Sequence, residues 1–292
     1  MSFFFAILID GLVSGGIYAV LAAGFALIFG VARVTNFAYT AFYMIAAYVL
    51  YTFSEMLGFH PVLGAVVAIV TVTTVAVCFH VLCIDRVKVH DIAVMMITVA
   101  FAIIIQECIL IKFGGVYLGV KPFVRGSIEL LGVDITYQHI FSIAASLAAL
   151  GSIWTLLSRT SLGNAILAIS QDKEVATLMG MDVGKIILIT VAISAAFAGF
   201  AGVIVAPIFT ISPFIWMSPL VIILAAVVIG GLGSLKGSII GAFILGFAQA
   251  ATVILVPVGS YLKEMVALAV MVLVLVVRSE GLFGVVFEEE KL

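Results

Sequence analysis

The sequence predicts an all-α membrane protein, a polytopic bundle of eight or nine transmembrane helices. Some of these segments could be broken or re-entrant. Apolar residues make up 65% of the 292 residues and charged residues only 10%, whereas soluble domains are about 45–50% apolar. Several continuous apolar runs approach the ~20 residues that an α-helix needs to cross ~30 Å of hydrocarbon. No linker rich in proline, serine or charge divides the chain, so residues 1–292 are expected to form a single transmembrane domain.

Nine apolar segments follow one another along the chain, and each is predicted to be a helix. Their approximate bounds are 4–30, 38–57, 61–83, 92–112, 137–158, 186–207, 218–235, 238–256 and 263–278. The seventh segment is interrupted by the glycine-rich stretch from Gly230 to Ser234. Irregular backbone at membrane depth is tolerated only where protein or a water-filled cavity satisfies its polar groups. The number of spans is therefore eight or nine.

The distribution of basic residues predicts the orientation, because Lys and Arg concentrate on the cytoplasmic side of membrane proteins. With nine spans and the N-terminus outside, nine of the 13 basic residues fall on one side and four on the other. The side with nine is predicted to be cytoplasmic, together with the C-terminus and the loop of about 159–185. Its basic residues are Arg33, Arg86, Lys88, Arg159, Lys173, Lys185, Lys236, Arg278 and Lys291. Those of the outer side are Lys112, Lys121, Arg125 and Lys263.

Few polar side chains lie within the spans, where an ionisable group costs about 2.5–3.5 kcal/mol and is usually functional. Asp10 and Glu107 are interpreted as groups that reach the outer interface. No titratable group is clearly central, which argues against a proton antiporter. Gln249 lies within the eighth segment, where it either holds helices together or lines a path. We predict that Asn36, Tyr39 and Gln249 approach a translocation path, with free N–H groups of a helix start near residues 36–40 facing a carboxylate.

The glycine-rich stretch is denser than helix packing requires, so Gly230, Gly231, Gly233 and Ser234 are predicted to form a hinge or a break between half-helices. It lacks the Gly-Lys-Ser/Thr ending of a phosphate-binding loop, so the chain is expected to have no ATPase of its own. The sequence shows no catalytic triad and no metal-ligand spacing, and we expect neither catalysis nor a cofactor or metal in this chain.

A charged segment at residues 171–181 interrupts the apolar pattern and is predicted to be a short amphipathic helix outside the bilayer. Val175, Leu178 and Met179 are spaced i, i+3 and i+4, so they share one face and offer an apolar knob to a partner. The alternative is a solvated loop that only connects two spans.

This segment resembles the coupling loop of ATP-binding cassette (ABC) import permeases, in which Glu, Ala and Gly recur at the positions of Glu174, Ala176 and Gly180. Residues 11–20 and 27–38 resemble the opening of permeases for branched-chain amino acids of the LivH type, and residues 230–234 and 281–284 also fit that family. One departure is that this chain has Tyr39-Thr40 where the family commonly has His-Gly.

The resemblance implies a non-catalytic permease subunit in the plasma (inner) membrane. It implies a second homologous permease subunit, two cytoplasmic ATPase subunits and an extracytoplasmic substrate-binding protein as partners. It also implies that the loop of about 159–185 docks on the ATPase. The predicted docking residues are Glu174, Ala176, Leu178, Met179 and Gly180.

The expected substrate is a branched-chain amino acid, which needs an apolar path and a few polar groups for its zwitterionic end. Related permeases carry urea or short-chain amides, so these substrates stay open. Two other classes also stay open: a stand-alone secondary carrier or channel, and a structural membrane subunit without a path.

Overall fold

The computed structural model describes residues 2–33, 35–87, 91–130, 133–278 and 281–283. Lys88 and Lys291, which enter the predicted charge distribution, lie outside the described residues, as does Gly284 of the family resemblance. The described part is helical almost throughout, so the predicted all-α polytopic bundle is confirmed.

The described residues form twelve α-helices, two π-helical turns and one β-hairpin. The helices are α1 Ser2–Ala32, α2 Tyr39–Tyr51, α3 Pro61–Phe79, α4 Asp85–Val87, α5 Asp91–Phe113, α6 Tyr137–Arg159, α7 Ser161–Gln171, α8 Lys173–Leu178, α9 Val183–Val205, α10 Met217–Gly230, α11 Leu235–Leu255 and α12 Gly259–Val277. The π-helical turns Thr52–Met56 and His80–Ile84 continue α2 and α3, and strands β1 Ser127–Leu130 and β2 Val133–Thr136 pair antiparallel.

Seven helices of the described chain are long and apolar enough to cross a membrane by length and composition: α1, α3 with its continuation through α4, α5, α6, α9, α11 and α12. The apolar helix α10 is shorter, with 14 residues. Most residues of α2 are buried within the bundle. Together these nine helices correspond to the nine predicted apolar segments.

Helix α1 lies at the centre of the bundle, and its closest neighbour is α11. Glycines on both helices allow this approach: a Cβ atom on Gly246 of α11 would collide with the backbone of Gly15, and one on Gly11 would collide with the Phe247 ring. Helices α10 and α11 meet similarly, because a Cβ atom on Gly237 would collide with the Gly230 carbonyl. Small residues thus let backbones pack directly, as is typical of membrane helices.

Contacts between loops define one end of the bundle, here called the hairpin end because it carries β1 and β2. Leu118 and Ile211 exchange backbone hydrogen bonds of 2.9 and 2.8 Å. The Glu55 carboxylate forms an ion pair with the Lys121 ammonium at 3.0 Å. These four residues come from three different connections, so the connections after α2, α5 and α9 lie at the same end.

Other contacts define the opposite end, here called the α8 end. The Arg33 guanidinium, just beyond α1, donates to the carbonyl oxygens of Ser170 and Gln171 at 3.2 and 3.1 Å. The Leu282 N–H, beyond α12, donates to the Ile229 carbonyl at 2.7 Å. The chain therefore alternates between the two ends as the nine-segment prediction requires.

The structure corrects one boundary and shows what two of the predicted connections contain. The predicted seventh span, 218–235, runs across the helix break, since α10 ends at Gly230 and Leu235 already belongs to α11. The segment of about 113–136, expected to be a turn-rich loop, contains the hairpin of β1 and β2. The loop of about 159–185 contains two helices, α7 and α8, because Asp172 has extended backbone between them (φ −150°, ψ 115°).

Candidate coupling surface and polar cavity

Helix α8 has only six residues, yet both of its ends are capped. At the start, the Asp172 carboxylate accepts the backbone N–H groups of Glu174 and Val175 at 2.8 and 3.0 Å. At the end, Gly180 adopts φ +81°, and its N–H donates to the Thr177 carbonyl. The Met181 N–H donates to the Ala176 carbonyl at 3.1 Å, which completes a Schellman motif. These caps supply partners for backbone groups that a short helix leaves free.

The inner face of α8 is attached to the rest of the chain. Ala176 is 3% exposed and packs in a cluster with residues of α1, α6 and α7. The Lys173 ammonium donates to the Ala32 carbonyl at the end of α1 at 3.1 Å. This contact and the Arg33 contacts to α7 place positive charge near carbonyl groups that end helices, a favourable arrangement. Helices α7 and α8 are thus held against the end of α1.

The opposite face of α8 presents large apolar side chains to the outside. Leu178 is 86% exposed, Met179 76% and Val175 53%. The three residues predicted to share a face therefore do so, next to the exposed Glu174 and Gly180. Ala176 instead faces its own chain and holds α8 in place. Contiguous exposed apolar side chains mark interaction sites, and we call Val175, Leu178 and Met179 the α8 surface. Its role in coupling stays a prediction.

A polar cavity lies at the hairpin end, beside the first half of α1. It has two adjoining compartments of about 260 and 310 Å³. Four residues line both compartments: Ser14, Tyr18, Phe209 and Lys263. We call the two compartments together the Lys263 cavity. It combines a few polar groups with apolar walls, which is the usual character of a small-molecule site.

The titratable groups that line this cavity come from three helices. Lys263 is on α12, Asp10 on α1 and His139 on α6, and Asp10 and His139 interact electrostatically. The half-buried Lys263 has no hydrogen bond or ion pair from its ammonium group to any part of the chain that the structure describes. Its backbone carbonyl accepts the side-chain amide of Gln249 at 3.2 Å, so the polar groups of α11 and α12 are linked.

The three predicted path residues lie in different surroundings. Gln249 lines the Lys263 cavity, and it also makes the interhelical bond that the alternative interpretation required. Tyr39 is 1% exposed and packs edge-on against Phe25, with ring centroids 5.8 Å apart. Asn36 is buried and its side-chain oxygen accepts the Ala38 N–H at 3.0 Å. Tyr39 and Asn36 are not among the residues that line the Lys263 cavity, and all three path roles stay predictions.

The helix start near residues 36–40 is less available than predicted. The Phe37 N–H donates to Thr98 Oγ1 at 3.2 Å, the Ala38 N–H to Asn36 Oδ1, and the Tyr39 N–H to the Asn36 carbonyl at 3.3 Å. The expectation that these three N–H groups are free for a carboxylate is wrong, because side chains and the preceding turn already satisfy them.

The glycine-rich stretch forms a turn between α10 and α11. Gly231 and Gly233 adopt φ +95° and +87°, values that side chains with a Cβ atom rarely adopt. The Ser234 hydroxyl oxygen then accepts the Gly237 N–H at 3.1 Å and caps α11. The turn is thus built by its glycines, and its predicted role as a hinge stays a prediction.

Sequence reasoning missed the centre of the cavity. Lys263 entered only the charge count, and no prediction named His139. The signal was present in part, since Asp10 is an ionisable residue within an apolar span. Its interpretation as an interfacial group did not predict a shared cavity with α12.

The fold is that of a polytopic membrane protein, and comparison with known proteins gives the family. Residues 7–275 match the family described as the permease component of the branched-chain amino acid transport system. The chain belongs to this family, which confirms the predicted resemblance. It is a multi-pass transport permease.

Two of the relatives match over nearly their whole length, and a third matches over about half of it. The chain is 27% identical over 294 residues to the high-affinity branched-chain amino acid permease BraD of Pseudomonas aeruginosa, covering 95% of this chain and 94% of BraD. It is 26% identical over 301 residues to LivH of Escherichia coli, covering 97% and 96% of the two chains. A ribose import permease of Haemophilus influenzae, RbsC, is 31% identical over 164 residues, which is 54% of this chain and 48% of RbsC.

A solved structure shares the fold. It is described as PsaBC from Streptococcus pneumoniae in complex with Fab, and it superposes with a TM-score of 0.53 over 92% of this chain and 91% of that chain. The sequence identity is 14%, so this likeness concerns the fold alone.

Proposed function

We propose that this chain is the membrane-spanning permease subunit of an ATP-driven importer for branched-chain amino acids. Two cytoplasmic ATPase subunits supply the energy, a second homologous permease completes the membrane part, and an extracytoplasmic binding protein delivers the substrate. The chain itself performs no catalysis. In this arrangement the hairpin end and the N-terminus face outward, and the α8 end and the C-terminus face the cytoplasm of a cell with an inner membrane.

The α8 surface is the observation that carries this proposal. Helix α8 is capped at both ends, and it holds Leu178 in an ordered position with 86% of the residue exposed. A loop that only joined two spans would not need an ordered, exposed apolar side chain. Burying such a side chain in a partner stabilises a complex by about 1.5–3 kcal/mol. The attachment of α8 to the end of α1 gives the partner a mechanical connection to the transmembrane bundle.

Two observations support a branched-chain amino acid as the substrate. BraD and LivH are named as high-affinity permeases for this class and align with this chain over nearly its whole length. The Lys263 cavity offers charged groups beside apolar walls, a combination that suits a zwitterion with an aliphatic side chain. Urea and short-chain amides have no ionised group, so the charged residues of the cavity would contribute less to their binding.

The decisive experiment is uptake of radiolabelled L-leucine by cells of the source organism with the gene intact, deleted and restored. We expect deletion to abolish uptake and restoration to recover it. ATP depletion should stop uptake, whereas a protonophore at maintained ATP should leave it in place. Dependence on the proton gradient would indicate a secondary carrier, and uptake of labelled urea instead of leucine would indicate the related substrate class. Unchanged uptake of both after deletion would refute a transport role.

A further inference from the structure

The Lys263 cavity contains a basic side chain near the start of α12, at the hairpin end, where it is half-buried. Ionisable side chains at such positions in membrane proteins often mark substrate paths. The Lys263 ammonium has neither an ion pair nor a hydrogen bond to the described part of the chain. Both compartments of the cavity open onto this one side chain. A cation in this position is available for an anionic group that comes from outside the chain.

The opposite charge lies in the same cavity. Asp10 lines the larger compartment together with His139 and Gln249. The walls also carry apolar side chains beside hydroxyl groups: Val13, Ile208 and Val253 line the larger compartment, and Ile17 and Val205 line the smaller one. A cation, an anion and an aliphatic surface around one cavity match the three parts of an α-amino acid with an aliphatic side chain.

We propose that the Lys263 cavity is a vestibule that binds the substrate zwitterion after its release from the binding protein, with Lys263 facing the carboxylate and Asp10 facing the ammonium group. The side-chain amide of Gln249 donates a hydrogen bond to the Lys263 backbone carbonyl and thereby fixes the start of α12 against α11. This inference rests on the proposed function for its substrate class and its outward orientation. It adds the site, its charged residues and their roles.

The first test measures leucine uptake with Lys263→Gln, Lys263→Arg and Asp10→Asn, each in the complete importer. Lys263→Gln should lower uptake by roughly tenfold or more, which corresponds to the loss of one charge-assisted hydrogen bond. Asp10→Asn should lower it similarly, and Lys263→Arg should retain much of it because the positive charge remains. The matched control is Lys112→Gln, which removes an exposed charge at the same end but outside the cavity. It should transport normally.

The outcomes separate this inference from the proposed function. If the unaltered chain transports no leucine, both fail. If the unaltered chain transports leucine and Lys263→Gln does so equally well, only the vestibule is refuted. Equal losses for Lys263→Arg and Lys263→Gln would also refute it, because a packing role and not the charge would then explain the effect. Copurification of the partner subunits confirms that each variant assembles.

A second test does not depend on transport. In a variant with Cys78, Cys83 and Cys108 replaced by serine, Phe209→Cys places one thiol on the wall shared by both compartments. We measure its reaction rates with a sulfonate-bearing and a trimethylammonium-bearing methanethiosulfonate. Lys263 should favour the anionic reagent, and Lys263→Gln should lower the ratio of the two rates severalfold.

Leucine should also slow both reactions when the loaded binding protein is present. The control thiol is Val116→Cys, which is exposed at the hairpin end and does not line the cavity. Its rate ratio should not respond to Lys263→Gln or to leucine. A ratio at position 209 that is equally insensitive would overturn the vestibule even in a variant with impaired uptake.

Discussion

Leu178 is the most exposed apolar side chain of the α8 surface, and a partner that covers it should depend on it. We predict that Leu178→Ser weakens copurification of the ATPase and lowers leucine uptake roughly tenfold or more, since burial of a leucine contributes about 1.5–3 kcal/mol. The control Leu232→Ser removes a leucine that is 58% exposed at the same end of the bundle. It should leave both measurements near normal, and equal effects of the two variants would contradict a specific docking role.

Gly180 tests the same surface through the backbone. At φ +81° an alanine is strained by about 1 kcal/mol, but no atom lies within 4 Å of the position its Cβ would take. Gly180→Arg therefore fits the isolated chain with modest strain, and we predict that it abolishes uptake because its bulk and charge obstruct the partner. Gly180→Ala should retain much of the uptake.

The matched control for this arginine is Gly58→Arg. Gly58 has φ +69° and open space around it, and it lies at the hairpin end. The two arginine variants share the backbone strain and differ in position, so measurement of ATPase copurification and uptake isolates the effect of docking. Normal assembly and uptake with Gly180→Arg would refute the coupling role of this helix end.

Helices α11 and α12 meet at Gln249, which both bridges the pair and lines the Lys263 cavity. We predict that Gln249→Leu lowers the stability of the purified complex by about 0.6 kcal/mol, the average for a polar contact between membrane helices. Uptake per folded complex should fall much further, because the cavity loses its amide and the support of Lys263. Thermal unfolding and uptake are measured on the same preparations.

The control for Gln249→Leu is Thr252→Val on the same helix. The Thr252 hydroxyl donates only to the Ala248 carbonyl of its own helix, at 2.7 Å, so its removal should change neither the α11–α12 contact nor uptake. Lowered stability of Gln249→Leu with normal uptake per folded complex would reduce Gln249 to a packing role.

The bundle as a whole has two chemically distinct ends, and their membrane sides can be determined by labelling. We predict that Met179→Cys, at the α8 end, reacts with a membrane-impermeant maleimide only in inverted vesicles, whereas Arg125→Cys, at the hairpin end, reacts in intact cells. The physical basis is the division of the basic residues, nine against four. Both positions are exposed in the structure. Reversed labelling would invert the orientation and remove the ATPase as the partner of α8.

Much of this architecture could be predicted from the sequence, because hydrophobic runs determine where helices cross a bilayer. The break after Gly230 was visible as a cluster of glycines, although its limits were not, since α10 and α11 are both apolar and flank it directly. The face of Val175, Leu178 and Met179 followed from helical spacing alone. The cavity could not be predicted, because Asp10, His139 and Lys263 are far apart in sequence and the rotation of each helix depends on packing that periodicity does not specify.

Helix α1 is one uninterrupted helix of 31 residues, roughly 46 Å long at about 1.5 Å per residue. Its far end is attached to α7 and α8 through Arg33 and Lys173, and its near half carries Asp10, Ser14 and Tyr18 of the cavity. A helix resists compression along its axis, so we expect a displacement of α8 to be transmitted along α1 to the cavity wall. Helix α1 thus acts as a single rigid rod, and an axial movement at the α8 end should reach the cavity with the same amplitude.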